Sequence, residues 1–219
     1  MAVSAQDVNK LRQMTGAGMM DCKKALNEAE GDFDKAIEIL RKKGQKVSAS
    51  RSERSATEGT IFTKVSEDYK EAILISFNCE TDFVAKNDDF KKLGEQIVEK
   101  AFNQKPANLD ELLTLKIDNL SISEKITELV GVIGEKITIG AFEYLSGEMV
   151  MPYVHAGNKL GVLVALKNVG GNAEEAAKDV AMQIAAMNPV GVDRNDVPQD
   201  VVDKEKSIAK EQAISEGKP

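Results

Sequence analysis

The spacing of apolar residues changes character near Gly59, and that change limits the folds open to this chain more than any other feature. Up to residue 43, apolar side chains recur at intervals of three and four, the period of helices with one buried face. Val8 and Leu11 stand three apart in a segment from Asp7 to Met14. Thr15-Gly16-Ala17-Gly18 then interrupts it with two glycines that tolerate positive φ. Met19, Cys22, Leu26 and Ala29 resume the pattern, which places Met19 on the buried stripe and Met20 about 100° away from it, exposed. Gly31 is placed just beyond the end of that helix. Asp32 is positioned to cap a third helix carrying Phe33, Ala36, Ile37 and Leu40 on one face, with Arg41, Lys42 and Lys43 at its negative end before Gly44. These spacings predict a three-helix module over residues 1–44, and the polar, Ser-rich, basic residues 45–58 read as a flexible linker.

Beyond Gly59 the period becomes two. Thr60 to Val65 and Tyr69 to Asn78 are β-rich runs around Ser66-Glu67-Asp68, which suits a hairpin; Ile73, Ile75 and Phe77 point to one face, Ala72 and Leu74 to the other. The loop Cys79 to Asp88 leads to a helix with Phe90, Leu93, Ile97 and Ala101 on one side, stopped by Asn103-Gln104-Lys105-Pro106. Ser121-Ile122-Ser123-Glu124 has capping-box spacing before a stripe of Ile122, Ile126, Leu129, Val130 and Ile133 that Gly134 ends. Strand character returns at 136–139, 141–145, 149–155 and 159–168, and a helix follows to Met187. The strand-helix order therefore repeats, and the reading is an α+β fold. It comprises a first core half over residues 59–140, a related second half over 141–189, and a helical tail over 190–219.

Composition excludes several classes. With 42% hydrophobic residues the chain has enough apolar content to collapse, unlike a disordered sequence. The longest apolar run, Val162 to Leu166, falls far short of the roughly 20 residues of a membrane helix. Nor does the amino terminus show a basic stretch followed by an apolar one, so a cytoplasmic protein is expected, without a membrane partner. The formal charge is -7, which argues against nucleic-acid binding. It is unevenly spread: residues 1–55 hold eleven Lys and Arg against eight Asp and Glu, which suggests separate modules.

Few groups could carry covalent chemistry. One histidine and two cysteines leave no zinc-ligand spacing, and no metal is implied. Gly16-x-Gly18 follows a helix and lacks the third glycine of a dinucleotide loop; no phosphate loop is present either, so the chain offers no nucleotide pocket and no cofactor is implied. Cys79 stands beside Glu80 and near Asp82, whose charges raise a thiol pKa and weaken it as a nucleophile. His155, at a strand end, reads either as a partly buried structural residue or as a contact or proton donor. Phe83, within Thr81-Asp82-Phe83-Val84-Ala85, either packs under its loop or stands out as an aromatic plug beside an acid.

Two long motifs carry a resemblance. The stretch from Val8 through Arg12, Thr15-Gly16-Ala17-Gly18-Met19-Met20-Asp21-Cys22 to Leu26, together with Asn78-Cys79-Glu80-Thr81-Asp82-Phe83-Val84-Ala85, resembles the translation elongation factor Ts family; Ile133-Gly134-Glu135-Lys136-Ile137, Tyr153 to Ala165 and Ala181 to Ala186 match less strongly. The resemblance implies a guanine-nucleotide exchange factor that makes and breaks no covalent bond. Its partner would be elongation factor Tu, in GDP-bound and nucleotide-free forms. It implies that Arg12, Met19 and Met20 dock on the partner's nucleotide-binding domain, and that Thr81, Asp82, Phe83 and Val84 intrude beside the nucleotide and dislodge magnesium. Ile133, Gly134 and His155 match further contacts, although Ala156-Gly157-Asn158 departs from the family pattern.

Two other readings stay open. The amino-terminal helices also resemble a ubiquitin-associated (UBA-like) bundle, which would make the chain a binding adaptor without exchange activity; an enzyme using Cys79 with His155 is the other. Set beside the family pattern, Ser215 to Pro219 looks like the middle of a helical excursion. A truncated chain is therefore expected, with a loosely packed tail and an unpaired strand edge in the second half.

Overall fold

Several helices begin where a side-chain cap is available. In the computed structural model, which describes residues 3–217, Ser4 and Asp7 form a capping box at the start of α1 (Ala5–Thr15), and Gly16 closes it with a left-handed φ of 68°. Following α2 (Met19–Glu28), the Asp32 carboxylate accepts from the Lys35 main-chain N–H and opens α3 (Phe33–Arg51). Val8, Leu11, Cys22, Ala25, Leu26 and Ala36 are buried together as the core of this module. Met19 is not among them: it is 54% exposed, because at the first residue of α2 no turn lies above it to pack against. Met20 is exposed as its position on the helix requires.

The main core forms around a sheet. Strands β1 (Glu58–Val65) and β2 (Glu71–Cys79) pair antiparallel, with Val65 opposite Ala72. After α4 (Asp82–Ala85), α5 (Asp88–Gln104), α6 (Leu109–Thr114) and the short pair β3 (Lys116–Ile117) and β4 (Leu120–Ser121), α7 (Ile122–Ile133) leads into β5 (Ile137–Ser146). β5 pairs with β2, giving the order β1-β2-β5. Ile73, Ile75, Phe77 and Cys79 face Phe90, Ile97, Leu112, Ile122 and Val130 from the helices, and Phe77 stacks on Phe90 with ring centroids 4.4 Å apart. The opposite face carries Ala72 and Leu74, also buried. It meets a second antiparallel pair, β6 (Met149–Val154) and β7 (Gly161–Leu166). There Gly161 lies so close to Ile61 and Leu74 that a Cβ would come within 2.6 Å of the former.

Two expected boundaries move. α3 does not stop at Gly44 but runs on to Arg51, through half of the stretch read as a flexible linker. Gly44 lies against α7 at backbone contact: a Cβ on Gly131 would sit 2.7 Å from the Gly44 Cα, and one on Gly44 3.1 Å from the Thr127 carbonyl oxygen. Val47 packs on the main core and Arg41 pairs with Glu128 at 2.8 Å. These contacts outweigh the roughly 1 kcal/mol that glycine costs inside a helix. The second boundary, at residue 140, falls inside β5. The register shifts between Ser76 and Phe77, whose partners are Ala141 and Ile139, so Gly140 is an extra residue in a bulge of one continuous strand. β5 therefore closes the first sheet, and the two halves are unequal: a three-stranded sheet and a two-stranded one.

The described residues divide into two compact units, the second beginning at Gln183. α8 (Ala173–Met187) buries only Ala177 and Ala181. In the second unit a 3-10 turn at Arg194–Asp196 is capped by Asp193, and α9 (Gln199–Ser215) buries no residue. Among the described residues no helix is long and apolar enough to cross a membrane.

Candidate functional site

Thr81, Asp82, Phe83 and Val84 follow β2 after Glu80, and within the expected loop the structure forms a single helical turn, α4. A turn of that length does not hold itself, since helix nucleation is unfavourable and is repaid only by propagation or tertiary contacts. Its anchors are Val84 and Ala85, both buried in the main core. The Cys79 Sγ donates to the Thr81 carbonyl at 3.1 Å, and the Thr60 hydroxyl to the Ala85 carbonyl at 3.4 Å. Phe83, between these anchors, is 80% exposed. Of the two sequence readings of Phe83, the packed one is therefore excluded. Val84, expected among the outward contacts, points the other way, because a one-turn helix that buries Val84 and Ala85 must turn Phe83 outward.

The turn after α7 meets this segment from the side. Glu135 accepts hydrogen bonds from the Thr81 main-chain N–H at 3.0 Å and from the Thr81 hydroxyl at 2.7 Å. In return Glu80 accepts from the Lys136 main-chain N–H at 2.6 Å and from the Arg54 guanidinium at 3.0 Å. Arg51 donates to the Gly134 carbonyl, and Lys136 to the carbonyls of Ser52 and Arg54. Ile133 packs on the main core and Gly134 takes a φ of 85° to end α7, so both stand in the turn that grips Thr81. His155 is exposed in the loop between β6 and β7, its ring 2.9 Å from the Tyr153 hydroxyl. That loop is tied to the start of β1, where the Ile61 N–H donates to the Asn158 carbonyl and Lys159 pairs with Glu58 at 2.5 Å. Arg12, Met19 and Met20 are exposed on the helical module, whose core is separate.

Charge is organised around the turn. Asp82 pairs with Lys86 at 2.7 Å, and that hydrogen bond, helped by the Lys159 charge, holds its carboxyl below the usual range. The Lys136 N–H, with Arg54, does the same for Glu80. The Cys79 thiol is pushed up to about 11, first by burial and then by Glu135 and Glu58. The acidic neighbours responsible are thus distant in sequence, where Glu80 and Asp82 were expected. Sequence reasoning singled out neither Glu135 as a partner of Thr81 nor Met14, which is 57% exposed at the end of α1. A third exposed methionine beside the Met19-Met20 pair was the available signal for Met14; a contact across 54 residues left none for Glu135.

Fold and site together define an α+β scaffold that clamps a short turn and presents an unpaired phenylalanine to solvent. The family model described as "Elongation factor TS" matches residues 80–219. Over 220 residues the chain is 56% identical to the elongation factor Ts of Amoebophilus asiaticus, covering 100% of this chain and 79% of that protein. It is 54% identical to that of Christiangramia forsetii, covering 99% and 78%, and 53% identical to that of Cytophaga hutchinsonii, covering 99% and 79%. The chain belongs to the elongation factor Ts family of translation elongation factors.

Proposed function

We propose that this chain stimulates GDP release from elongation factor Tu, docking on its nucleotide-binding domain and dislodging the magnesium ion so that GTP can reload. The observation that carries this reading is Phe83, 80% exposed on a turn whose flanks are fixed. A large apolar side chain left in water by a well-packed core is a ready anchor for a partner pocket. In this reading Thr81, Asp82 and Phe83 act at the nucleotide site and Val84 holds the turn from inside. Ile133, Gly134 and His155 contribute at the same end, and Arg12, Met19 and Met20 supply docking energy from the helical module. No bond is made or broken, and the protein works in the cytoplasm.

The physics sets a scale. GDP and its magnesium are held largely by electrostatics, so disturbing the metal uncovers phosphate charge and weakens the nucleotide. Asp82 arrives already paired with Lys86, and an exposed pair can re-partner at little cost. Burying one phenylalanine contributes about 1.5 to 3 kcal/mol, roughly a ten- to hundredfold effect. The remaining contacts must supply the rest, and linkage requires GDP to weaken binding of this chain by the same factor.

Stopped-flow release of a fluorescent GDP from elongation factor Tu tests the reading. Phe83→Ala should slow stimulated release by at least about tenfold with the fold intact. Binding without any acceleration by the unaltered protein would instead favour the adaptor reading, for which the separate core of the helical module speaks.

A further inference from the structure

A one-turn helix holds Phe83 in a single direction only if contacts outside the turn fix it; Val84 and Ala85 do so from the core at its trailing end, and the leading end needs a contact of its own. Thr81 is the residue before α4, yet its hydroxyl does not cap the helix as a threonine there commonly does. It donates to Glu135 at 2.7 Å, while the Thr81 N–H donates to the other carboxylate oxygen at 3.0 Å. One carboxylate thus takes both donors of Thr81, a bidentate charge-assisted arrangement that fixes orientation as well as position. Glu135 is itself placed by the left-handed Gly134 that ends α7 and by the Glu80 carboxylate that takes the next main-chain N–H, of Lys136.

We propose that Glu135 is a positioning residue for Phe83: its carboxylate preorganises the α4 turn so that the ring enters the partner without a prior ordering step. This rests on the exchange reading given above. Without Glu135 the competent turn is only part of an ensemble, and each docked complex must wait for it. The loss therefore appears in the maximal release rate, because the helical module still docks the partner.

The test compares Glu135→Ala, Glu135→Gln and Phe83→Ala in release of fluorescent GDP from elongation factor Tu, with hydrogen exchange of the amides of residues 81–86 measured on the free protein. Glu135→Ala should lower the maximal rate roughly tenfold, leave the half-maximal concentration within about twofold, and speed exchange of the Thr81 amide at least about tenfold. Glu135→Gln keeps an acceptor for the N–H and offers an N–H to the hydroxyl, so it should restore both readouts to within about threefold of the unaltered protein. In a Phe83→Ala background, Glu135→Ala should add less than about twofold. An Ala variant that releases GDP at the unaltered rate, a Gln variant as slow as Ala, or an equal further loss in the Phe83→Ala background would overturn the proposal. If Phe83→Ala itself leaves release unchanged, the exchange reading of Phe83 fails, and protected amides in Glu135→Ala would then show separately that the clasp does not order the turn. Should Glu135→Ala fail to fold, Thr81→Val removes only the hydroxyl and carries the same expectations at smaller size.

Discussion

Phe83 and Phe90 stand on consecutive helices, seven positions apart, and the fold treats them oppositely. Phe90 is fully buried and stacked on Phe77; Phe83 is 80% exposed. The α4 turn spends Val84 and Ala85 on the core, and α5 spends Phe90, Leu93, Ile97, Val98 and Ala101. The difference separates two kinds of aromatic residue, one that holds the fold, already placed on a helical stripe by its spacing, and one that the fold holds out, which its sequence context left open.

The largest effect that could break this comparison is on stability. Phe90→Ala removes a stacked ring from a closed core and should cost about 3 to 5 kcal/mol in urea unfolding, whereas Phe83→Ala should stay within about 0.5 kcal/mol. Similar losses for the two would mean that Phe83 also supports the fold, and its effect on release could no longer be read as a contact. Next comes the other exposed apolar set. Met19 and Met20, 54% and 62% exposed, sit on a different core from Phe83. Replacing both by alanine should raise the half-maximal concentration for GDP release about three- to tenfold, with the maximal rate unchanged. A fall in the maximal rate instead would erase the division between docking and wedge.

The smallest expected effect concerns the thiol beneath the turn. Cys79 is buried, with its thiol pushed up to about 11, so at pH 8 it should resist iodoacetamide until the protein is unfolded. The sign for stability follows from the same shift. The unfolded thiol titrates near about 8.5, so its contribution is complete below that pH and is lost as pH rises toward the folded value. Unfolding free energy measured from pH 8 to 10 should fall relative to a Cys79→Ser protein over that window. A flat difference would mean that the turn opens enough to hydrate the thiol, and with it that Phe83 is not rigidly presented.

Much of this was written locally. The capping box at Ser121 and Glu124, the Asp32 cap and the left-handed ends at Gly16 and Gly134 all lie within a few residues of the groups they satisfy. The two faces of β2 follow from its alternation, and both are buried as the pattern requires. Legibility ended where a residue answered to a distant partner. Gly44 reads as a helix stop until Gly131 is brought against it, and Gly140 splits a strand in sequence although the ladder to β2 runs through. Met19 fits the helical stripe yet has nothing above it to bury it.

By itself, then, the sequence determined the longer helices, the main alternating strands and the motif that places Phe83 just after β2, but not the short α4, α6 or the β3–β4 pair, because periodicity, caps and turn residues act over one or two turns of chain. Only the tertiary structure decided that α3 continues onto α7, that β5 joins the first sheet, that Val84 faces in while Phe83 faces out, and that Glu135 grips Thr81. Those outcomes depend on which surfaces exclude water together and which donors find acceptors across dozens of residues, and no local spacing encodes them.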